Sequence, residues 1–226
     1  FRHTGPGTTV IDAAAANLNS FGGAVVVDGG TLQHGTANNN QRRGLASAAS
    51  YTVNAGGTMV TTRDAMRDGV PVSLNSGTLA MLKGFQCLGP LAANGGALVT
   101  GPGQGGPYQA FALGANVAVT GSVPSVIRAE PGLYNGVHLT FNLLTAGLRT
   151  FRVDDVTGSA DADLTVSASL LDSSHTTTNA GLVKTGAGTM VLAGGPHTYH
   201  GATVVSNGTL LVGSGGVSNS AVTVVS

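Results

Sequence analysis

Apolar and polar positions alternate in short runs along this chain, and nearly every run stops at a glycine. VVVDGGTL (Val25 to Leu32), TVNAGGTMV (Thr52 to Val60), VSLNSGTLAML (Val72 to Leu82) and AANGGALV (Ala92 to Val99) share one outline. So do KTGAGTMVL (Lys184 to Leu192) and VVSNGTLLV (Val204 to Val212). Each begins with a few alternating Val, Leu or Thr residues, the signature of a strand with one buried face. An Asn-, Ser- or Ala-containing turn with glycine follows, where the chain can adopt positive φ and change direction. Thr-Leu or Thr-Met then opens the next strand, with the Leu or Met pointing inward.

The phrase glycines are Gly30, Gly57, Gly77, Gly96, Gly188 and Gly208, and three of their five spacings fall within one position of twenty. The tetrapeptide Thr203-Val204-Val205-Ser206 also returns as Thr223-Val224-Val225-Ser226, at the same shift of twenty. Strand–corner–strand units of this size cannot bury an apolar face alone, but stacked coils bury it continuously. The period therefore predicts an all-β parallel solenoid over residues 1–226, with coils of about twenty residues and roughly eleven levels. A β-sandwich would show turns at similar intervals but not identical phrases at a fixed one.

Residues 117–170 keep the period-two pattern in NVAVTG, SVIRAE, GVHLTFNLL, RTFRVDDV and DLTVSASL while losing the phrase, which predicts the same solenoid with looser corners. GPGQGGP, from Gly101 to Pro107, predicts a corner loop or insertion. Helical signals are confined to Ile11–Asn17, with Asp12 as a cap, and to Ala46–Ser50.

Composition narrows the function. Hydrophobic residues make up 42% of the 226 residues, but there is no Trp and there are only six Phe and four Tyr. Thirty-six glycines accompany them. Val, Leu and Ala between many glycines suit thin, regular layers. Ten Lys plus Arg balance ten Asp plus Glu, at 9% charged residues against about 25% in ordinary domains. A neutral, charge-poor chain lacks the basic face that nucleic acid requires. No apolar run of eighteen residues exists, so no membrane-spanning helix is expected. A surface of Asn, Ser and Thr suits the exterior of the cell.

The span 147–213 resembles the autotransporter-associated β-strand repeat of bacterial passenger regions. Gly181-Leu182, Lys184 to Thr189, Thr198-Tyr199, Gly201, Thr203-Val204 and Asn207 to Leu210 carry that resemblance. It implies a right-handed parallel β-helix, displayed outside the cell, in which the repeat is scaffold and brings no catalytic residues. The departure is at Pro196 to His200, where His197 and His200 stand in place of the usual Asn and Thr.

Candidate chemistry is thin. His197 and His200 would reach one metal ion only across a turn, because i and i+3 on a strand face opposite ways; two exposed corner histidines are the expectation. His3, His34, His138 and His175 are too scattered to add a third ligand. Asp154, Asp155, Asp161 and Asp163 form the densest acidic group and could bind calcium, yet the β-roll nonapeptide and the EF-hand spacing are missing; a solvated loop is the expectation. A polysaccharide-cleaving β-helix would need paired carboxylates, for which those aspartates, Glu130, Arg128 and Arg152 are the material. Cys87 is expected to be a small buried apolar residue. Arg42-Arg43 is the only basic doublet and reads as a solvated turn.

The expectation is thus a structural, extracellular or cell-surface solenoid without enzymatic activity, cofactor or metal. It would serve as stalk, fibre or filament, with head-to-tail self-association as its partner mode. Binding of a glycan or host surface is the alternative, and a polysaccharide-degrading enzyme a more distant one.

Overall fold

The alternating runs form twenty-three strands among the described residues of the computed structural model, and every strand pairing is parallel. The structure describes residues 1–11, 21–34, 45, 47–62, 65–100, 110–130, 136–139, 147–172, 179–218 and 220–225. The first three levels carry two strands each: β1 (Arg2–His3) and β2 (Thr8–Ile11), β3 (Ala24–Val27) and β4 (Gly30–His34), β5 (Ser50–Asn54) and β6 (Gly57–Thr62). Four levels add a third strand. They are β7 (Val72–Asn75), β8 (Thr78–Lys83) and β9 (Gln86–Leu88), then β10 (Leu91–Asn94), β11 (Ala97–Thr100) and β12 (Phe111–Leu113). They continue with β13 (Val117–Val119), β14 (Ser125–Ala129) and β15 (Gly136–His138), then β16 (Gly147–Val153), β17 (Ala162–Val166) and β18 (Ser169–Leu171). β19 (Ala180–Thr185), β20 (Thr189–Leu192), β21 (Thr203–Val205), β22 (Thr209–Val212) and β23 (Val222–Val224) complete the series.

These strands make three sheets, of ten, nine and four strands. The ten-stranded sheet takes the first strand of each level and the nine-stranded sheet the second, in unbroken chain order. The architecture is the parallel β-solenoid that the repeat predicts. The third face, β9-β12-β15-β18, is one that the phrase does not announce. It continues past β18 through a bond from Thr198 N to Leu170 O and a bridge between His197 and Val217.

The repeated phrase stacks in register. Gly30-Thr31-Leu32 lies against Gly57-Thr58-Met59, which lies against Thr78-Leu79, then Ala97-Leu98; Thr189-Met190 lies against Thr209-Leu210. Leu32, Met59, Leu79, Leu98 and Met190 are all fully buried, each such side chain contributing roughly 1.5–3 kcal/mol of transfer free energy. Across the core, Val25, Tyr51, Val72, Leu91, Val117 and Phe151 form the facing ladder. The glycines are needed because a Cβ on Gly57 or Gly77 would lie within 2.6 Å of Val27 O or of Asn54 O, in the level below.

The period is less uniform than the phrase suggests. The steps from Val72 to Leu91 and from Thr189 to Thr209 keep it, but those from Val117 to Phe151 and from Ser125 to Leu164 are far longer. Longer connections, not a different fold, account for the loss of the phrase between 117 and 170, and ten levels form among the described residues. Ser50 opens β5 instead of ending a helix, and among the described residues there is no helix. Residues 12–17, the Arg42-Arg43 doublet, Gly101–Pro107 and His175 lie outside the described residues.

Candidate functional site

Chemistry collects at the corner between β19 and β20, inside the stretch that carries the resemblance. Alternation along β19 places Leu182 and Lys184 on the same, inward face. In the ladder Lys184 stands between Phe151 and Val205 and is fully buried. Its Nζ donates to Thr185 O at 3.0 Å, Gly186 O at 2.7 Å and Asn207 O at 3.0 Å. Three carbonyls of two successive corners thus converge on one ammonium group. Burial pulls the Lys184 pKa down to about 8, while the carboxylates of Asp163 and then Asp154 act in the opposite direction.

Asp163 is the counterpart on the neighbouring level. β17 shifts register between Ala162 and Leu164, and this bulge turns Asp163 into the corner. Oδ1 accepts from Val156 N at 2.8 Å and Thr157 N at 2.9 Å, and Oδ2 accepts from Thr189 N at 2.7 Å. Burial pushes its carboxyl up, but the N–H donors of Thr189, Thr157 and Val156 outweigh this and hold it below the usual carboxylate range. The two opposite charges direct their hydrogen bonds to backbone, one gathering carbonyls and the other amides.

This network explains the glycines of the phrase at this end. A Cβ on Gly188 would lie 2.5 Å from Asp163 Oδ2, and one on Gly208 would lie 2.7 Å from Lys184 Nζ. Gly186 and Gly208 also hold φ of 78° and 70°, a region unfavourable for residues with a Cβ. Tyr199 is buried, its hydroxyl 2.6 Å from Thr203 Oγ1, which is 2.7 Å from Ser220 Oγ. Gly201 N donates to Ala180 O at 2.8 Å.

The remaining residues singled out by sequence are dispersed. Asp154 accepts both Arg152 Nε at 2.9 Å and Arg152 Nη2 at 2.8 Å. Asp155 Oδ1 accepts Gly158 N at 2.7 Å, and Asp161 Oδ2 accepts Ser159 Oγ at 2.9 Å. Asp163 therefore does not belong to a solvated loop: it is buried, and its oxygens bind amides. Arg128 pairs with Glu130. Among the described residues no three His, Cys, Asp or Glu side chains gather as metal ligands.

The histidines also differ from expectation. His197 is fully buried, not exposed, and its Nδ1 accepts from Leu170 N at 3.1 Å. The ring takes the place of a carbonyl in the third sheet, which fixes Nδ1 as the unprotonated nitrogen; burial lowers its pKa. His200 lies outside, its Nδ1 2.6 Å from Asp172 Oδ2. One ring is thus buried and the other exposed. His34 is buried too, with Nε2 accepting from Leu45 N at 2.7 Å. His3 contacts Gly7 O and Thr9 Oγ1 near the first level. Cys87 is buried against Phe85 and Ala112 as expected.

At the other end a different corner motif appears. Asn54 Nδ2 donates to Asp28 Oδ1 at 2.6 Å, and Asn75 Nδ2 donates to Asn54 Oδ1 at 2.9 Å. Asn94 follows in register beside Asn75. The ladder ties these corners with side-chain amides, and Arg2 pairs with Asp28 at its end.

A comparison with family profiles matches the passenger-associated-transport-repeat at residues 2–33 and at residues 182–212. Two segments of the chain are thus similar to passenger transport repeats. The second match spans β19 to β22 and so contains Lys184, the phrase glycines and the corner they build. The first spans β1 to β4 and includes Gly30-Thr31-Leu32. The matched segment begins at 182, later than the resemblance that starts near 147. No curated protein and no solved structure matched the chain in the same comparisons.

Proposed function

We propose that this chain is the structural part of an exported bacterial passenger, a single solenoid unit that acts as a rigid stalk or fibre outside the cell. The observation that carries this reading is the in-register stacking of the phrase through long parallel sheets, with passenger repeats at both ends of the series. Backbone hydrogen bonds run along the rod axis, so a pulling force is shared across many of them. Ten levels at about 4.8 Å give a rod roughly 43 Å long. Electron microscopy and small-angle scattering of the purified chain should find rods of that length, without turnover of polysaccharides. A globular particle would overturn the reading, and release of reducing or unsaturated sugar ends would favour the enzyme.

Self-association is a second part of the proposal. Parallel levels join here by backbone pairing throughout the described residues, and the same pairing between copies would extend the rod head to tail. Sedimentation across a concentration series should show growing linear species; a monomer at all concentrations excludes it. The neutral outer rows, with Thr31, Thr58 and Thr78 in register, support adhesion to a glycan or host surface as the alternative role. Saturable binding on a glycan array would select it.

A further inference from the structure

The corner that holds Lys184 also contains a pair of residues whose chemistry the scaffold role does not use. Asn207-Gly208 is exposed, and Gly208 lacks the Cβ that would shield its amide nitrogen. Gly208 N donates to the side chain of its own neighbour, Asn207 Oδ1, at 2.8 Å. Because Oδ1 is bonded to Cγ, this contact places the backbone nitrogen beside the carbon it would attack. The carbonyl of the same peptide, Asn207 O, receives Lys184 Nζ at 3.0 Å. An amide that loses its N–H proton carries the negative charge largely on that oxygen. A buried ammonium hydrogen-bonded there stabilises the charge as it develops.

We propose that Asn207 is a self-modification site, at which Gly208 N closes onto the Asn207 side chain to give a succinimide that water opens to aspartate or isoaspartate. Hydroxide or buffer base removes the Gly208 amide proton. The nitrogen bonds to Cγ, the Cγ–Nδ2 bond breaks, and Nδ2 takes up a proton and leaves as ammonia. Water then adds to either ring carbonyl and reopens the ring. The sum is one water consumed and one ammonia released, with no oxidant or metal. Lys184 acts on the reacting amide through Asn207 O.

The molecule supplies its own control. Asn94-Gly95 has the same sequence, but its groups are engaged in the ladders. Gly95 N donates to Val123 O at 2.9 Å, Asn94 O accepts from Ser76 N at 2.8 Å, and Asn94 Oδ1 accepts from Ser122 N at 3.3 Å. Attack at Asn94 must first break a backbone bond between levels and turn the side chain away. At Asn207 no such bond is broken. Asn135-Gly136, the third such pair, has its asparagine outside the described residues.

The products differ in consequence. Aspartate at 207 sets a carboxylate beside the carbonyls that hold Lys184. Isoaspartate routes the backbone through the side-chain carbon and adds an atom to the corner just before Thr209. Thr209-Leu210 would then lose register with Thr189-Met190, and β22 would open. Time since folding would thus be recorded at one corner of the rod.

Timed incubation of the folded chain, followed by peptide mass mapping and isoaspartyl-methyltransferase labelling, tests this. Modification at Asn207 should run at least about tenfold faster than at Asn94, a factor expected from one backbone hydrogen bond. In urea the two rates should converge. Equal rates in the folded chain, or a faster reaction at Asn94, would overturn the proposal. Lys184→Met should slow Asn207 alone, and an unchanged or faster rate would remove Lys184 from the mechanism. Should K184M lose its sheet by circular dichroism, the wild-type pH profile decides the same point. The charged groups acting on Lys184 are Asp163 and Asp154, the latter paired to Arg152. With Lys184 titrating at about 8, the base-catalysed rise at Asn207 should flatten above that pH while Asn94 keeps climbing. Parallel profiles would exclude the ammonium's part.

Discussion

Two corners of this rod solve one problem in opposite ways. Between β3 and β8 the turns are tied by side-chain amides, Asn75 donating to Asn54 and Asn54 donating to Asp28. Between β17 and β22 they are satisfied by buried charge, with Lys184 collecting carbonyls and Asp163 collecting amides. The amide ladder needs each side chain to meet the next at strand spacing. It runs from Asp28 through Asn54 to Asn75, across steps of 26 and 21 residues. A charged side chain reaches several carbonyls at once and tolerates irregular geometry. It occurs beside the bulge between Ala162 and Leu164. Side-chain amides and buried charges thus close equivalent corners of the same rod.

The sharpest way to break this contrast is to remove Asp163. Asp163→Ala strands three backbone amides, two of them buried, and removes the acid that acts most on the Lys184 charge, so a loss of about 3–5 kcal/mol is expected by chemical denaturation. D163A should cost less in a K184M background, and strict additivity would mean the two charges act separately. Gly188→Ala pushes a methyl onto Asp163 Oδ2 and should cost about 1–3 kcal/mol. An unchanged midpoint there would mean the corner can relax.

Acidification separates the two ends further. Neutral His197 is required as an acceptor, and its folded pKa lies below the ordinary value of 6.5. The unfolded chain therefore binds a proton that the folded one refuses, and stability falls as pH drops below about 6.5. Asp163, also depressed, adds a second loss as pH falls through its ordinary value of 3.8 and below. Melting curves of His197→Phe should lack the first decline and keep the second. The smallest effect belongs to the ladder: Asn75→Ala, at an exposed position, should cost about 0.5–1 kcal/mol. A loss as large as that of D163A would erase the distinction between the corners.

How much of this is legible in the sequence depends on which signal each residue gives. Leu32, Met59, Leu79 and Leu98 are readable because apolar identity, period two and glycine spacing agree, and their register follows. Lys184 is disguised by its charge, although its parity with Leu182 on β19 already places it inside. Asp163 is hidden by the bulge at Ala162, which breaks the alternation that would have oriented it. His197 escapes because a ring replacing a carbonyl in a sheet leaves no periodic trace. The third face escapes because its strands are three residues long and have no glycine phrase of their own.

The unequal steps have a last consequence. From Ser125 to Leu164 the chain takes nearly two repeat lengths to climb one level, yet Ile127 still stacks on Val166 as Leu98 stacks on Ile127. The rod is thus indifferent to cargo: what is added between β14 and β17 changes the length of the polypeptide without changing the address of any core residue. Such a scaffold can acquire new recognition segments one at a time, each at a fixed height and bearing, and keep the same spine.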